Sequence, residues 1–361
     1  MISFRKILCV CVSAIMFMSL FTVSANADEN ESTGNELSER VSEIAVFGDS
    51  ISAGYRLENF DRYDYSKAED CFANILCSHY GLEYGKTFFN FSKTGDASDD
   101  TLDVLRSADK EIIKNSDVII ISTGGNDVMD VVELALYDAF KNESENFRKL
   151  GINIDLSSLG AIEKTLLSVF SDPNAKEPLD RIIKKCTDTT VQNSFSNTVL
   201  KYEENIKEMI SYIRETGSEA QIYFLTPYDP TSLAGSNAII DSIDNMLSNI
   251  SAKTLSVAES KEYGYGTYVE DLFSEFKDNL LVWTNLITAD IHPNKDGHRH
   301  IADMLITDIT SVLSRMETSE QAQSEKSVPY SNTIIYILFG VACACSAAII
   351  VHSIITYRKK T

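Results

Sequence analysis

The sequence predicts an α/β fold built on a parallel sheet, and three observations carry that expectation. Short apolar runs rich in β-branched residues, above all Ile44–Phe47 and Asp117–Ser122, read as strands covered by helices on both faces. The stretches between successive runs are long enough for crossover helices. The early runs end in loops of Gly, Ser, Thr, Asn and Asp, at the sheet edge where open α/β folds place their ligand crevice.

Ile44-Ala45-Val46-Phe47 is the first strand, and Gly48-Asp49-Ser50 puts Ser50 in the turn at its C-terminal end. Phe88–Phe91 reads as the second strand, followed by the loop Ser92-Lys93-Thr94-Gly95-Asp96. Asp117–Ser122 is the third and leaves through Thr123-Gly124-Gly125-Asn126-Asp127. Asn126 suits a helix N-cap, but its amide could also donate to an oxyanion; both hold if Asp127 caps a helix starting near Val128. The stretch from Val128 to Ser218 is too long for one crossover helix and predicts several. In one, Leu159, Ile162, Leu166, Val169 and Phe170 share a face, and Ser171-Asp172-Pro173-Asn174 stops it. Another is a long helix over Asn193–Glu215. This insertion reads either as a cap over a substrate pocket or as added packing. Gln221–Leu225 and Thr267-Tyr268-Val269 complete the sheet. In Ile291–His298, Pro293 biases the chain away from helix, which resumes near Asp296 and runs towards Ser314.

A Ser hydroxyl is a weak nucleophile at neutral pH and needs a neighbouring base. The chain has five His. His352 lies in a C-terminal apolar run, His79 falls in a predicted helix, and His298 and His300 are expected on a helix surface. His292 is left as the candidate base.

The ordered set Gly48-Asp49-Ser50-Ile51-Ser52, Gly95, Gly124-Gly125-Asn126-Asp127 and Asp290-Ile291-His292-Pro293-Asn294 resembles the SGNH (GDSL-type) hydrolase family. That family's marker residues are a Ser, a Gly, an Asn and a His in this order. The resemblance covers roughly Glu43 to Ser314. It implies a flavodoxin-like three-layer α/β/α sandwich with about five parallel strands, and ester hydrolysis that needs no cofactor and no metal. It also implies a nucleophile at Ser50, a base at His292, and an oxyanion hole from the Ser50 and Gly95 N–H groups and Asn126. Many family members carry the triad acid three residues before the His. Here Ala289 fills that position and the nearest carboxylate is Asp290, two residues before. Positions two apart on extended backbone share a face. Either Asp290 orients the imidazole, or a main-chain carbonyl does so in a Ser50–His292 dyad.

The family acts on lipids, thioesters, acetylated sugars and aryl esters. The expected activity is that of an esterase or lipase, with an acetyl-glycan esterase or a lysophospholipase as alternatives. A catalytically idle surface binding protein is disfavoured by the intact Ser50, Asn126 and His292. A metal phosphatase using Asp49, Asp127 and Asp290 is disfavoured because the sequence has no dense ligand cluster.

The ends of the chain predict a membrane protein. Residues 1–27 resemble a secretory signal: Arg5 and Lys6, an apolar stretch, then Ala25-Asn26-Ala27 as a small-residue cleavage site. Residues 28–42 form a polar leader, 43–316 the catalytic body with its 128–218 insertion, and 317–333 a polar, flexible stalk. Residues 334–356 carry no Asp, Glu, Lys or Arg and are long enough to span a bilayer. Arg358-Lys359-Lys360 within the 357–361 tail mark the cytoplasmic side. The expected topology is a single pass in the cell membrane with the body outside. Of seven Cys, only Cys71, Cys77 and Cys186 fall in the body, so no disulfide framework is expected. A net charge of −21 argues against nucleic acid as a partner. The expected partners are a small-molecule, lipid or acylated-glycan ester, and the membrane through one C-terminal helix.

Overall fold

The computed structural model describes residues 40–152, 154–155, 175–233, 238–288 and 290–327. The expected signal, the expected membrane span and the Leu159–Phe170 helix lie outside them. Among the described residues no helix is long and apolar enough to cross a membrane.

Among the described residues five strands form the sheet: β1 (Ile44–Gly48), β2 (Phe88–Asn90), β3 (Val118–Ser122), β4 (Gln221–Leu225) and β5 (Thr267–Glu270). The described helices are α1 (Phe72–His79), α2 (Ser98–Ser107), α3 (Lys110–Asn115), α4 (Gly125–Lys149), α5 (Lys176–Cys186) and α6 (Thr189–Glu215). They continue with α7 (Ala238–Ala258), α8 (Leu272–Phe276), α9 (Leu280–Trp283) and α10 (Lys295–Ser327). Every pairing is parallel and the order is β2-β1-β3-β4-β5. The order reverses beside β1, and such a switch point opens a crevice at the C-terminal strand ends. Ser50 follows β1 and Asn126 follows β3, so they flank that crevice.

Strand side chains alternate between faces, and two cores result. Ile44, Val46, Val118, Ile120, Tyr223 and Leu225 pack against Phe72 and Leu76 of α1, Leu272 and Phe276 of α8, and Ile301 and Leu305 of α10. Ala45, Phe47, Ile119, Ile121, Ile222 and Phe224 pack against α2, α3, α6, α7 and the first turns of α4. Both faces of the inner strands are covered, which is why these segments read as unbroken β-branched runs rather than alternating ones.

The insertion is helical, and its parts differ. Val128 and Val132 of α4 belong to the main core. Further along, Phe140 and Phe147 join Ile182 and Cys186 of α5 in a separate small cluster. The long helix begins at Thr189 rather than Asn193, because Asp188 caps it: its carboxylate accepts the Val191 N–H at 3.0 Å. Asp127 does not cap the helix that follows β3. Helix α4 starts one turn earlier, with Gly124 at its N-cap, and the Asp127 carboxylate is drawn sideways to the Ser98 N–H and hydroxyl.

Helix α10 departs from expectation at both ends. His298, expected on its surface, is fully buried. Gly297 lies so close to α9 that a Cβ there would stand 2.1 Å from the Trp283 carbonyl oxygen. This contact turns His298 onto α1, where its ring stacks on Phe72 and Nδ1 accepts the Phe72 N–H at 3.3 Å. Burial pushes its pKa down to about 3, so the ring is neutral. His300 is partly exposed and stacks on Trp283. At the other end the helix continues to Ser327, through much of the segment expected to be a flexible stalk. That segment holds Glu, Gln, Ala and Lys and has no Gly or Pro before Pro329, a composition that favours helix.

Candidate active site

The nucleophile candidate sits in a turn tied to the sheet on both sides. Gly48 pairs with Ser122 at the end of the β1–β3 ladder and has φ +143°. A Cβ there would meet the Ser122 carbonyl oxygen at 2.3 Å, so only glycine fits. Beyond it, the Ser122 hydroxyl donates to Asp49 Oδ1 at 2.9 Å and lies 2.7 Å from Ser52 Oγ. Asp49 Oδ1 also accepts the Ile51 N–H at 2.9 Å. Ser50 is thus held between two residues bound to one buried hydroxyl. Burial pushes the Asp49 carboxyl up to about 6, against the hydrogen bonds from Ile51 and Ser122.

His292 reaches this turn from the opposite end of the chain. Its Nε2 lies 3.1 Å from Ser50 Oγ and its Nδ1 lies 2.6 Å from Asp290 Oδ1. The two-residue spacing works because Asp290 forms an Asx turn. The oxygen that meets Nδ1 also accepts the His292 backbone N–H at 3.0 Å. The carboxylate therefore curls back under its own loop instead of reaching along an extended strand. This network assigns the proton to Nδ1 and leaves Nε2 to accept from the Ser50 hydroxyl. His292 and Asp290 side chains are only 17% and 18% exposed, and Ser50 is buried.

The loop bearing His292 is fixed at several points. The Tyr228 hydroxyl donates to the Ile291 carbonyl, and the Asn285 N–H donates to the His292 carbonyl at 2.9 Å. Asn294 caps α10, accepting from the Asp296 and Gly297 N–H groups at 2.9 and 3.0 Å, while its amide donates to the Val282 and Thr284 carbonyls. The base thus stands two residues before a rigid helix start.

The remaining two candidates converge on the same edge. The loop after β2 is tied to the nucleophile strand, since the Lys93 N–H donates to the Gly48 carbonyl at 2.8 Å. Gly95 follows with φ +94°, and a Cβ there would meet nothing. Its glycine answers to backbone conformation rather than to crowding. Among the described residues, no protein acceptor takes the Ser50 or Gly95 N–H. Asn126 Nδ2 donates to the Asp96 carbonyl at 2.8 Å, fixing the amide beside the Gly95 loop with its second N–H to spare. A groove of about 420 Å³ adjoins this loop, lined by Phe91, Lys93, Asp96, Asp100 and Asp109 among others. It does not include Ser50, Asn126 or His292.

The three carboxylates weighed as metal ligands have separate engagements: Asp49 with Ser122, Asp127 with Ser98, Asp290 with His292. Among the described residues no group of three or more His, Cys, Asp or Glu is arranged to hold a metal ion.

Two residues that the sequence did not single out also reach the site. Arg56 Nε pairs with Asp290 Oδ2 at 3.1 Å. The Tyr55 ring meets the His292 ring edge-on, with centroids 4.8 Å apart. Arg56 is one of two described non-glycine residues with positive φ, at +72°, a conformation costing roughly 1–2 kcal/mol for an L-residue. Spacing offered no signal for either, because the partners lie at the far end of the chain.

Comparison with known proteins finds one matching family model. The model of the GDSL-like lipase/acylhydrolase family matches residues 46–300, well over half of the 361-residue chain. The uncharacterized protein YpmR of Bacillus subtilis (strain 168) is 20% identical over 301 residues, covering 82% of this chain and 93% of that protein. Among solved structures, the lipase Lip_vut3 from a goat rumen metagenome is 17% identical with a TM-score of 0.44, covering 73% of this chain and 95% of the other. TesA is 16% identical with a TM-score of 0.41, covering 75% and 99%.

The buried Asp49 carboxyl generates a pH signature. Its folded pKa of about 6 lies above the ordinary 3.8. Its contribution to stability is therefore fully present below about pH 4 and lost as pH rises through about 6. The unfolding free energy of the wild type should fall relative to Asp49→Asn across that window, by on the order of 3 kcal/mol. Urea titrations of both proteins at pH 4 and pH 7 measure it. A difference that stays flat would show that Asp49 does not titrate in this range.

Proposed function

The chain belongs to the GDSL-like lipase/acylhydrolase family, a family of ester-hydrolysing enzymes, and from that premise we propose a Ser50–His292–Asp290 acyl-enzyme mechanism working outside a membrane. One observation carries the proposal: the unbroken series from Ser50 Oγ through His292 to Asp290 Oδ1, at 3.1 and 2.6 Å.

In the first step the Ser50 oxygen attacks the ester carbonyl carbon while its proton passes to His292 Nε2. The carbonyl π pair moves to oxygen, giving a tetrahedral oxyanion. The Ser50 and Gly95 N–H groups and the spare Asn126 amide N–H are the donors for that charge. Each such donor is worth about 2.7–4 kcal/mol in the transition state. Asp290 stabilises the imidazolium and keeps its Nδ1 proton in place. The tetrahedral species collapses, the bond to the leaving oxygen breaks, and His292 returns the proton to the departing alcohol. Water then repeats the sequence on the acyl-enzyme and releases the acid.

Ile287 and Ile291 are 68% and 40% exposed on the loop that carries His292. An apolar surface on this loop suits an ester with an acyl chain better than a small acetyl group on a polar sugar.

The body is secreted and remains attached through residues 334–356, with residues 357–361 inside. Support comes from sequence: an uncharged apolar run followed directly by Arg358-Lys359-Lys360, and a signal-like segment at the other end.

Three outcomes are expected. Ser50→Ala abolishes ester turnover and labelling by a fluorophosphonate, yet unfolds at the wild-type denaturant midpoint; turnover equal to wild type would remove Ser50 from the mechanism. Asp290→Asn lowers kcat by up to about 10⁴-fold, the scale for losing the group that holds the tautomer. A loss below about tenfold would assign the orienting role to the main chain instead. Removing residues 331–361 yields a secreted, soluble enzyme with wild-type kcat, measured in the culture medium; retention in the membrane fraction would place the anchor elsewhere.

A further inference from the structure

This inference rests on the ester-hydrolase reading of the site. We propose that Arg56 is a positioning residue that sets the direction of the Asp290 carboxylate, with Tyr55 as its platform. Asp290 spends a single oxygen, Oδ1, on both the His292 N–H and Nδ1. A carboxylate held by one oxygen can pivot, and any rotation lengthens the bond that fixes the imidazole. Arg56 Nε limits that freedom through an ion pair with Oδ2 at 3.1 Å, so each oxygen faces its own partner.

The platform links the same elements. The Arg56 guanidinium lies over the Tyr55 ring, 5.1 Å from its centroid, and that ring meets His292 at an interplanar angle of 70°. Tyr55 is itself joined to the nucleophile turn, its N–H donating to the Ser50 carbonyl at 3.0 Å. One short segment therefore supplies the nucleophile, the buttress of the base and the clamp on the acid.

One observation separates this from ordinary surface pairing. Arg56 occupies a left-handed backbone site that glycine would fill without strain, so the side chain is retained where the backbone disfavours it. Like other exposed pairs, this one contributes little stability, because the Arg56 side chain is 58% exposed; the effect proposed for it lies in orientation. The other ionisable groups near the dyad are engaged elsewhere: Asp49 with Ser122 and Ile51, Tyr228 with the Ile291 carbonyl, and His298 with the Phe72 N–H. Among the described residues, Arg56 and the His292 ring are the only basic groups paired with Asp290.

Arg56→Gly is the decisive variant, since it removes the guanidinium and suits the backbone. On p-nitrophenyl butyrate its kcat should fall by about 10- to 100-fold with KM changed less than about twofold, and Arg56→Lys should recover part of the loss. The Tm of Arg56→Gly should not drop. In an Asp290→Asn background the same change should cost less than about twofold, because no carboxylate remains to be aimed. Without substrate, the proton NMR resonance of His292 Nδ1–H should shift or broaden in Arg56→Gly. Wild-type kcat with an unmoved resonance would overturn the proposal, and so would equal losses in both backgrounds. If the wild type turns over no ester, the hydrolase reading fails by itself, and the resonance still decides the Arg56 contact.

Discussion

The closing of β1 against β3 at Gly48 and Ser122 is the constraint on which the site depends. A backbone this close leaves no room for a Cβ at position 48, and it delivers the Ser122 hydroxyl to both residues that bracket Ser50. The position of the Ser50 oxygen is therefore set by a buried strand pair rather than by a mobile loop. Placing a carboxyl at Asp49 has a cost in solvation, and two hydrogen bonds offset part of it. The knot is polar inside an apolar sheet, a setting that defines geometry more sharply than further hydrophobic packing would.

The other half of the site has a different support. His292 depends on a helix start, where Asn294 satisfies the first turn of α10 and simultaneously ties the chain to the Val282 and Thr284 carbonyls. Sheet end and helix start are pressed together by the core that joins α1 and α10 across the β1 face. His298 lies inside that core as a neutral ring. Its place in the packing explains why one turn of α10 contains two His with unlike surroundings.

Much of this was legible in the sequence. The inner strands announced themselves because burial on both faces demands unbroken β-branched residues, and the candidates Ser50, Gly95, Asn126 and His292 stood in loops after predicted strands or before a predicted helix. The rest depended on geometry that periodicity does not encode. Whether a carboxylate two residues before a His meets its ring is decided by an Asx turn, in which the side chain folds onto its own backbone. The burial of His298 turns on how close Gly297 comes to Trp283, a fact about two elements and not about one. Arg56 and Tyr55 carried no spacing signal at all. The helical run through residues 317–327 was missed because a polar composition was read as flexibility, although Glu, Gln, Ala and Lys are good helix formers.

The contact between Ser50 and His292 joins positions 242 residues apart. A chain made from its N-terminus exposes the serine long before the imidazole exists, and the two can meet only once synthesis has passed His292. If turnover runs through this pair, the onset of activity after refolding reports a long-range closure and not the first local collapse.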